Sequence, residues 1–342
     1  MGLLSTLKEK LNQEQGMSAD SGFEAPADDA TRLFFATDVH GSTACWRKFV
    51  NAADFYHADV LVLGGDTTGK AIFPIIDRGD HYTYNRENEE HEIHDEAELE
   101  DLEESMENRG FYPYVLSEAE YDQLAEAEDS EERQDELFEQ EMIARIREWR
   151  EFAESRLPDG FPIYVCPGND DPFAIDDVWN ESELIDLVEG EVTELDSGYE
   201  MVSSGWTNRT PWDTDREEDE SDLKERIEGV IEEVNDIDRS IFNLHVPPYD
   251  SQLDEAPELD EDRRPKYGGR SMEPVGSTAV REIIEEYQPP LSLHGHIHES
   301  RGKTRIGETI AINPGSVYSE GSLQGAVIDL ADEVDVVGLV RG

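Results

Sequence analysis

The chain has 342 residues, with 83 Asp or Glu against 28 Lys or Arg, for a formal net charge of −55. That length allows one large domain or two, and 37% hydrophobic residues with clear strand runs exclude a wholly disordered chain. No Lys/Arg cluster is present to track a phosphate backbone, so long nucleic acid is not the expected partner.

Such charge would strain a compact fold in dilute buffer and is screened in concentrated salt. The acid is spread along the whole chain, which points to salt adaptation and suggests a halophilic microbe. Cys45 and Cys166 provide no disulfide framework and fit a reducing, cytoplasmic setting. No apolar run approaches a membrane span, and the first residues lack the pattern of a secretory signal.

Residues 1–30 read as a short amphipathic helix, with Leu3, Leu4, Leu7 and Leu11 on one face, followed by a polar linker. Order is expected from 31 to 342. Residues 33–36 form a short apolar strand ending in TDVHGS; a helix follows at 44–55, then a second strand at 60–63 ending in GGDTTGK. This is a βαβ unit. Residues 70–150 break the rhythm and read as an acidic insert, equally suited to capping the site or lying beside it. It holds a β-hairpin around Arg78-Gly79-Asp80, helices at 96–108, 118–128 and 135–156, and FYPYVLS as a connector. His81, His91 and His94 in this insert read as solvent-exposed.

The buried-strand pattern returns at 161–166, ending in PGNDD, with a helix expected at 180–188. Strands follow at 192–195 and 199–203, then a turn-rich loop, GWTNRTPWDT, and an acidic helix at 217–234. A strand at 241–244 ends in HVPPYD. A long polar loop covers 251–269, and a helix covers 277–287. The strand 291–293 delivers HGHIH, 309–312 ends in NPGS, and two strands close the chain.

Apolar strands thus end repeatedly in a metal-ligand residue: Asp38 and His40, Asp66, Asn169, His245, then His296 and His298. Ligands in open α/β sheets bind outside the carboxyl ends of strands, so these residues can converge. A set of Asp, Asn and His without thiolate suits Mn, Fe or Zn. Seven ligands exceed one tetrahedral ion and suit two ions bridged by a carboxylate such as Asp66. For HGHIH taken alone, a polar loop whose imidazoles bond to backbone is the plain alternative.

In this order, DVH, GGD, GND, a lone His after a strand, and GHIH resemble the calcineurin-like metallophosphoesterase superfamily. Its pattern is D-x-H, G-D, G-N-H, H and G-H-x-H, and the likeness covers about residues 31–320. The resemblance implies a four-layer α/β/β/α sandwich of two mixed sheets, with the insert added. It implies Asp38, His40 and His298 on one divalent ion, Asn169, His245 and His296 on a second, and Asp66 bridging them. It implies phosphoester hydrolysis by a metal-bridging hydroxide on a small phosphorylated substrate. A non-catalytic scaffold with the same fold is the alternative.

Asp170 departs from the family pattern, which has His there as acid or phosphate contact. A carboxylate beside two cations is a poor acid, so phosphodiesters are expected over monoesters. Asp170 is left three roles: a proton donor, an orienting group, or a mark of weakened catalysis. His294 is expected to support the ligands rather than join them. NPGS, at 313–316, is expected to brace the metal loops through backbone contacts. Arg209, in the loop with two Trp, is a candidate phosphate partner. Substrate identity, native metals and oligomeric state are not legible at this level.

Overall fold

The computed structural model describes residues 23–27, 29–126 and 130–342. The expected amphipathic helix at the start of the chain lies outside the described residues. No described helix is long and apolar enough to cross a membrane.

Two six-stranded sheets form the centre. Across the first, the strands run Val334–Arg341, Gln324–Leu330, Thr31–Ala36, Val60–Leu63, Ile163–Val165 and Ile185–Leu187. Across the second, they run Gly302–Ile306, Thr309–Asn313, Leu291–Leu293, Ser240–Leu244, Glu200–Ser204 and Val192–Glu194. Each has four consecutive parallel strands, with antiparallel pairing on one side of the first sheet and at both edges of the second, so both sheets are mixed, as expected.

Side-chain alternation sets the layers. Leu33, Phe35, Val60 and Val62 face inward and meet Met201, Ile241, Leu291, Leu293 and Ile312 of the second sheet. Their neighbours Phe34, Ala36, Leu61 and Leu63 face the other way, onto Trp46, Phe49 and Val50 of the helix Thr43–Tyr56. On the opposite side, Val202, Phe242 and Leu244 pack on Leu223 and Ile227 of Glu220–Ile231 and on Ile283 and Ile284 of Thr278–Tyr287. The result is the helix, sheet, sheet, helix stack. Because the parallel strands share a direction, their carboxyl ends and the turns that follow gather at one edge.

The insert carries its own four-stranded sheet, in the order Glu89–Ile93, Tyr82–Arg86, Ala71–Asp77 and Phe111–Ser117. FYPYVLS is therefore a strand, not a connector. It pairs in parallel with Ala71–Asp77 and buries Tyr112 and Leu116. His91 lies on a strand and stacks on Tyr84; it and His81 are half-buried rather than exposed, and His94 is exposed as expected. The long helix Ser130–Arg156 then returns to the core, where Trp149 stacks on Trp46 with ring centroids 5.0 Å apart.

Two further expectations are corrected. The helix expected at 180–188 is a strand, Ile185–Leu187, because pairing with Ile163–Val165 extends the parallel sheet. A 3-10 turn, Phe173–Ile175, and one α-helical turn, Asp176–Trp179, precede it. The polar segment after HGHIH enters the strand Gly302–Ile306, whose alternation was hidden by Lys303 and Arg305.

The insert meets the metal-ligand loops through small residues. Gly110 has φ +86°, and a Cβ there would lie 2.1 Å from the carbonyl oxygen of His40. Close by, the Gly69 amide donates to the Tyr112 hydroxyl at 2.9 Å and Ser42 Oγ donates to the Asn108 carbonyl at 2.6 Å. Gly110→Ala is expected to destabilise the fold by about 2 kcal/mol, through overpacking against backbone and the positive φ. Denaturant unfolding of the two proteins side by side measures this, and an unchanged midpoint would refute the close approach.

Candidate metal centre

The sheet edge delivers the ligands on strained turns. Asp38, His40, Asp66 and His296 all have positive φ, at 53°, 39°, 51° and 64°. Such backbone is uncommon for residues other than Gly and concentrates at functional sites. Neighbouring loops hold these turns in place. The Asp38 amide donates to the Gly65 carbonyl at 2.9 Å, and the His40 amide to the Asp66 carbonyl at 3.0 Å. The His296 amide donates to both carboxylate oxygens of Asp38, at 3.0 and 3.1 Å. Gly295 is needed for that contact, since a Cβ there would stand 2.4 Å from Asp38 Oδ2.

The side chains form two groups that share one member. Asp38, His40, Asp66 and His298 converge, and so do Asp66, His245 and His296. His40 Nε2 and His298 Nε2 are 3.0 Å apart, His298 Nε2 is 3.2 Å from Asp38 Oδ1, and His40 Nε2 is 3.5 Å from Asp66 Oδ2. His245 Nε2 is 3.4 Å from the same Asp66 oxygen. Donors on one ion at about 2.0–2.2 Å stand about 3.0–3.5 Å from one another. The spacing fits.

The hydrogen bonding fits as well. Asn169 donates its amide to Asp170 Oδ1 at 3.1 Å and to Thr214 Oγ1 at 2.8 Å, which leaves its buried Oδ1 with no partner. A buried acceptor without a donor is costly unless a cation uses it. The Nδ1 of His245 lies 3.0 Å from the Gly64 carbonyl, which aims Nε2 at Asp66. Burial, reinforced by neighbouring charges, holds His40 well below its usual range and brings His296 down to about 3. Both stay in the neutral, metal-binding form. Burial opposes charge on His245, yet Asp66 and Asp38 outweigh it and push the imidazole up to about 10. Carboxylates this buried demand positive charge beside them.

His294 stands apart from both groups. Its Nδ1 faces the carbonyls of Leu244 and Val246 at 2.8 and 3.0 Å, and its Nε2 faces Ser292 Oγ at 2.8 Å. It braces the backbone on either side of His245. Asn313 of NPGS does the same for HGHIH, donating to the carbonyls of Gly295 and Ile297 at 3.2 and 2.9 Å. Ser316 Oγ donates to the Asp38 carbonyl at 2.7 Å.

Asp170 forms an ion pair with Lys70, Oδ2 to Nζ 3.0 Å. Its backbone amide donates to Asp66 Oδ1 at 3.0 Å. Arg209 instead bonds to Asp219 at 2.8 Å and lies 3.9 Å from Asp213, so acids of its own loop engage it.

Four participants escaped the reading of the sequence. Lys70 is one. Tyr318 is another, its ring 4.7 Å from that of His40 and 5.9 Å from that of His298. Asp171 is fully buried and accepts from the amides of Thr67, Thr68 and Gly168. Arg216, also fully buried, bonds to the Asp171 carbonyl, pairs with Asp176 at 2.7 Å and covers the Phe173 ring. The second Asp of GNDD was the one local signal for any of them.

Comparison with known proteins decides the family. The model of the calcineurin-like phosphoesterase family matches residues 31–300. The chain belongs to this family. This phosphoesterase is also 30% identical over 162 residues to an uncharacterized protein of Methanocaldococcus jannaschii, a match covering 47% of this chain and 66% of that protein. One solved crystal structure aligns with a TM-score of 0.53 at 16% identity, covering 92% of this chain and 98% of the other, and shows the same fold. A Thermus thermophilus protein, TT1561, aligns at a TM-score of 0.47 and 14% identity, over 92% and 98% of the two chains. The family and the ligand cluster together make this a metal-dependent phosphoesterase.

Proposed function

We propose that this phosphoesterase hydrolyses a phosphodiester of small size with the help of two divalent ions, Mn, Fe or Zn. The observation that supports the reading is Asp66, which belongs to both candidate ligand groups and would join two cation sites into one centre. Asp38, His40 and His298 would hold one ion, Asn169, His245 and His296 the other, and Asp66 both. Bound there, the ions supply positive charge to phosphoryl oxygens and acidify water.

The chain's own residues do the rest. The Asp38 carboxylate holds the His296 turn, and His294 and Asn313 brace the backbone of the other ligands. Asp170 holds the Lys70 ammonium beside the cluster, and Lys70 remains about half exposed, at 51%. An ammonium so placed pairs with a non-bridging phosphoryl oxygen. Asp170 stands where the family pattern has His, and the charge of its carboxylate disfavours a dianion. This favours a diester over a monoester. We read the net charge of −55 as adaptation to concentrated salt, and the unpaired thiols of Cys45 and Cys166 as fitting a cytoplasmic setting.

The test is an assay in molar KCl after loading with Mn, comparing a p-nitrophenyl diester with p-nitrophenyl phosphate. The diester is expected to have the higher kcat/KM. Turnover of neither would overturn the reading in favour of a non-catalytic scaffold. In the same assay Lys70→Ala is expected to raise KM about tenfold with a smaller change in kcat. An unchanged KM would remove Lys70 from substrate binding.

A further inference from the structure

Lys70 has a second neighbourhood. It lines a cleft of about 390 Å³ between the insert sheet and the helices Glu118–Glu126 and Ser130–Arg156. Apolar and aromatic side chains make up most of the walls, beside Lys70, Gln134 and Asp135. Ile72 and Pro74 come from one strand, Tyr114 and Leu116 from its parallel partner, and Leu137 from the long helix. In the register of these two strands, Ile72 pairs with Tyr112, Pro74 with Tyr114 and Ile76 with Leu116. Every second residue shares a face, so the row that begins near Lys70 continues as one apolar surface. Among the described lining residues Lys70 is the only cation. A largely apolar cleft stands out on a chain with 83 acidic residues.

We propose that this cleft receives an apolar, aromatic or alkyl group of the phosphoester substrate, while the phosphoryl group sits on Lys70 at the metal centre. The proposal rests on the phosphoesterase reading and narrows it to amphipathic esters. The geometry is direct. One residue, Lys70, lines the cleft and reaches Asp170, at the cluster, with its ammonium. A phosphate bound by that ammonium has its ester substituent directed along the row of Ile72 and Pro74. The volume lies at the lower end of ligand pockets, about 300–1,000 Å³, and suits one ring system or a short chain. The insert thereby gains a role in specificity.

The test separates binding from turnover. Titration calorimetry compares 1-naphthylmethylphosphonate with methylphosphonate, neither of which has a hydrolysable ester bond. Wild type is expected to bind the naphthyl compound at least about tenfold more tightly. Leu137→Trp fills the cleft from the helix, and Gln134→Trp fills it from an exposed position of the same helix where no core packing is at risk. In both, the ratio of the two affinities is expected to fall toward one. Mixed p-nitrophenyl diesters carrying naphthyl or methyl as second group give the same ratio in kcat/KM with a common leaving group. Equal affinities in wild type, or a ratio that neither variant moves, overturn the proposal. Absence of turnover with every ester would overturn the phosphoesterase reading, and the phosphonate ratio would then decide the cleft by itself.

Discussion

Asp66→Asn is expected to abolish turnover, by at least about 10³-fold, and to lower the metal content of the purified protein. The carboxylate stands 3.5 Å from His40 Nε2 and 3.4 Å from His245 Nε2, so both ligand groups depend on it. Asn keeps the shape and can still accept the Asp170 amide through Oδ1. What it removes is the charge that, on the proposed function, two adjacent cations would share. Metal analysis after gel filtration and the diester assay together measure the effect. The unfolding midpoint of the metal-free proteins shows whether the fold survives. Activity within about tenfold of wild type, at the same metal content, would exclude a bridging role.

The second large effect is one of stability. Asp171→Ala is expected to cost about 3–5 kcal/mol, because it removes a buried acceptor and strands its donors. The Thr68 amide stands 2.8 Å from the Asp171 carboxylate, the Gly168 amide 2.9 Å, and the Thr67 amide 2.9 Å. The hydroxyls of Thr67 and Thr68 add bonds of 3.0 and 2.7 Å. These groups flank Asp66 and Asn169, so the same change loosens candidate ligands of both proposed cation sites. Metal affinity should fall along with the unfolding free energy. Asp171→Asn keeps one acceptor oxygen and should lie between the two. Urea unfolding monitored by Trp fluorescence decides it, and a loss below about 1 kcal/mol would show that the loops do not depend on this carboxylate.

The two effects differ in how they could be anticipated. Asp66 ends an apolar strand, where a short run of neighbours sets the turn that presents it. The same holds for Asp38, His40, Asn169, His245, His296 and His298. Strand, turn and candidate ligand are adjacent in the chain, so hydrophobic patterning and motif order were enough to nominate all seven. The layers of the sandwich were legible for the same reason, since alternation in runs such as Leu33 to Ala36 states which residue faces which core.

Asp171 looked like the tail of a turn, because its donors at Thr67 and Thr68 lie more than a hundred positions away. Lys70 looked like the last residue of a loop. Its meaning depends on Asp170, brought to it by the pairing of Val60–Leu63 with Ile163–Val165. The strands Phe111–Ser117 and Ile185–Leu187 were missed because partners far along the chain override weak local patterns. By itself the sequence determined the family resemblance and the layered architecture and nominated the candidate ligands, all properties of short segments and their order. Only the tertiary structure decided what surrounds the ligands: the Lys70–Asp170 pair, the Asp171 brace, the Tyr318 ring and the insert cleft. Each is a contact between distant segments, and such contacts exist only once the sheets have set the strand ends side by side.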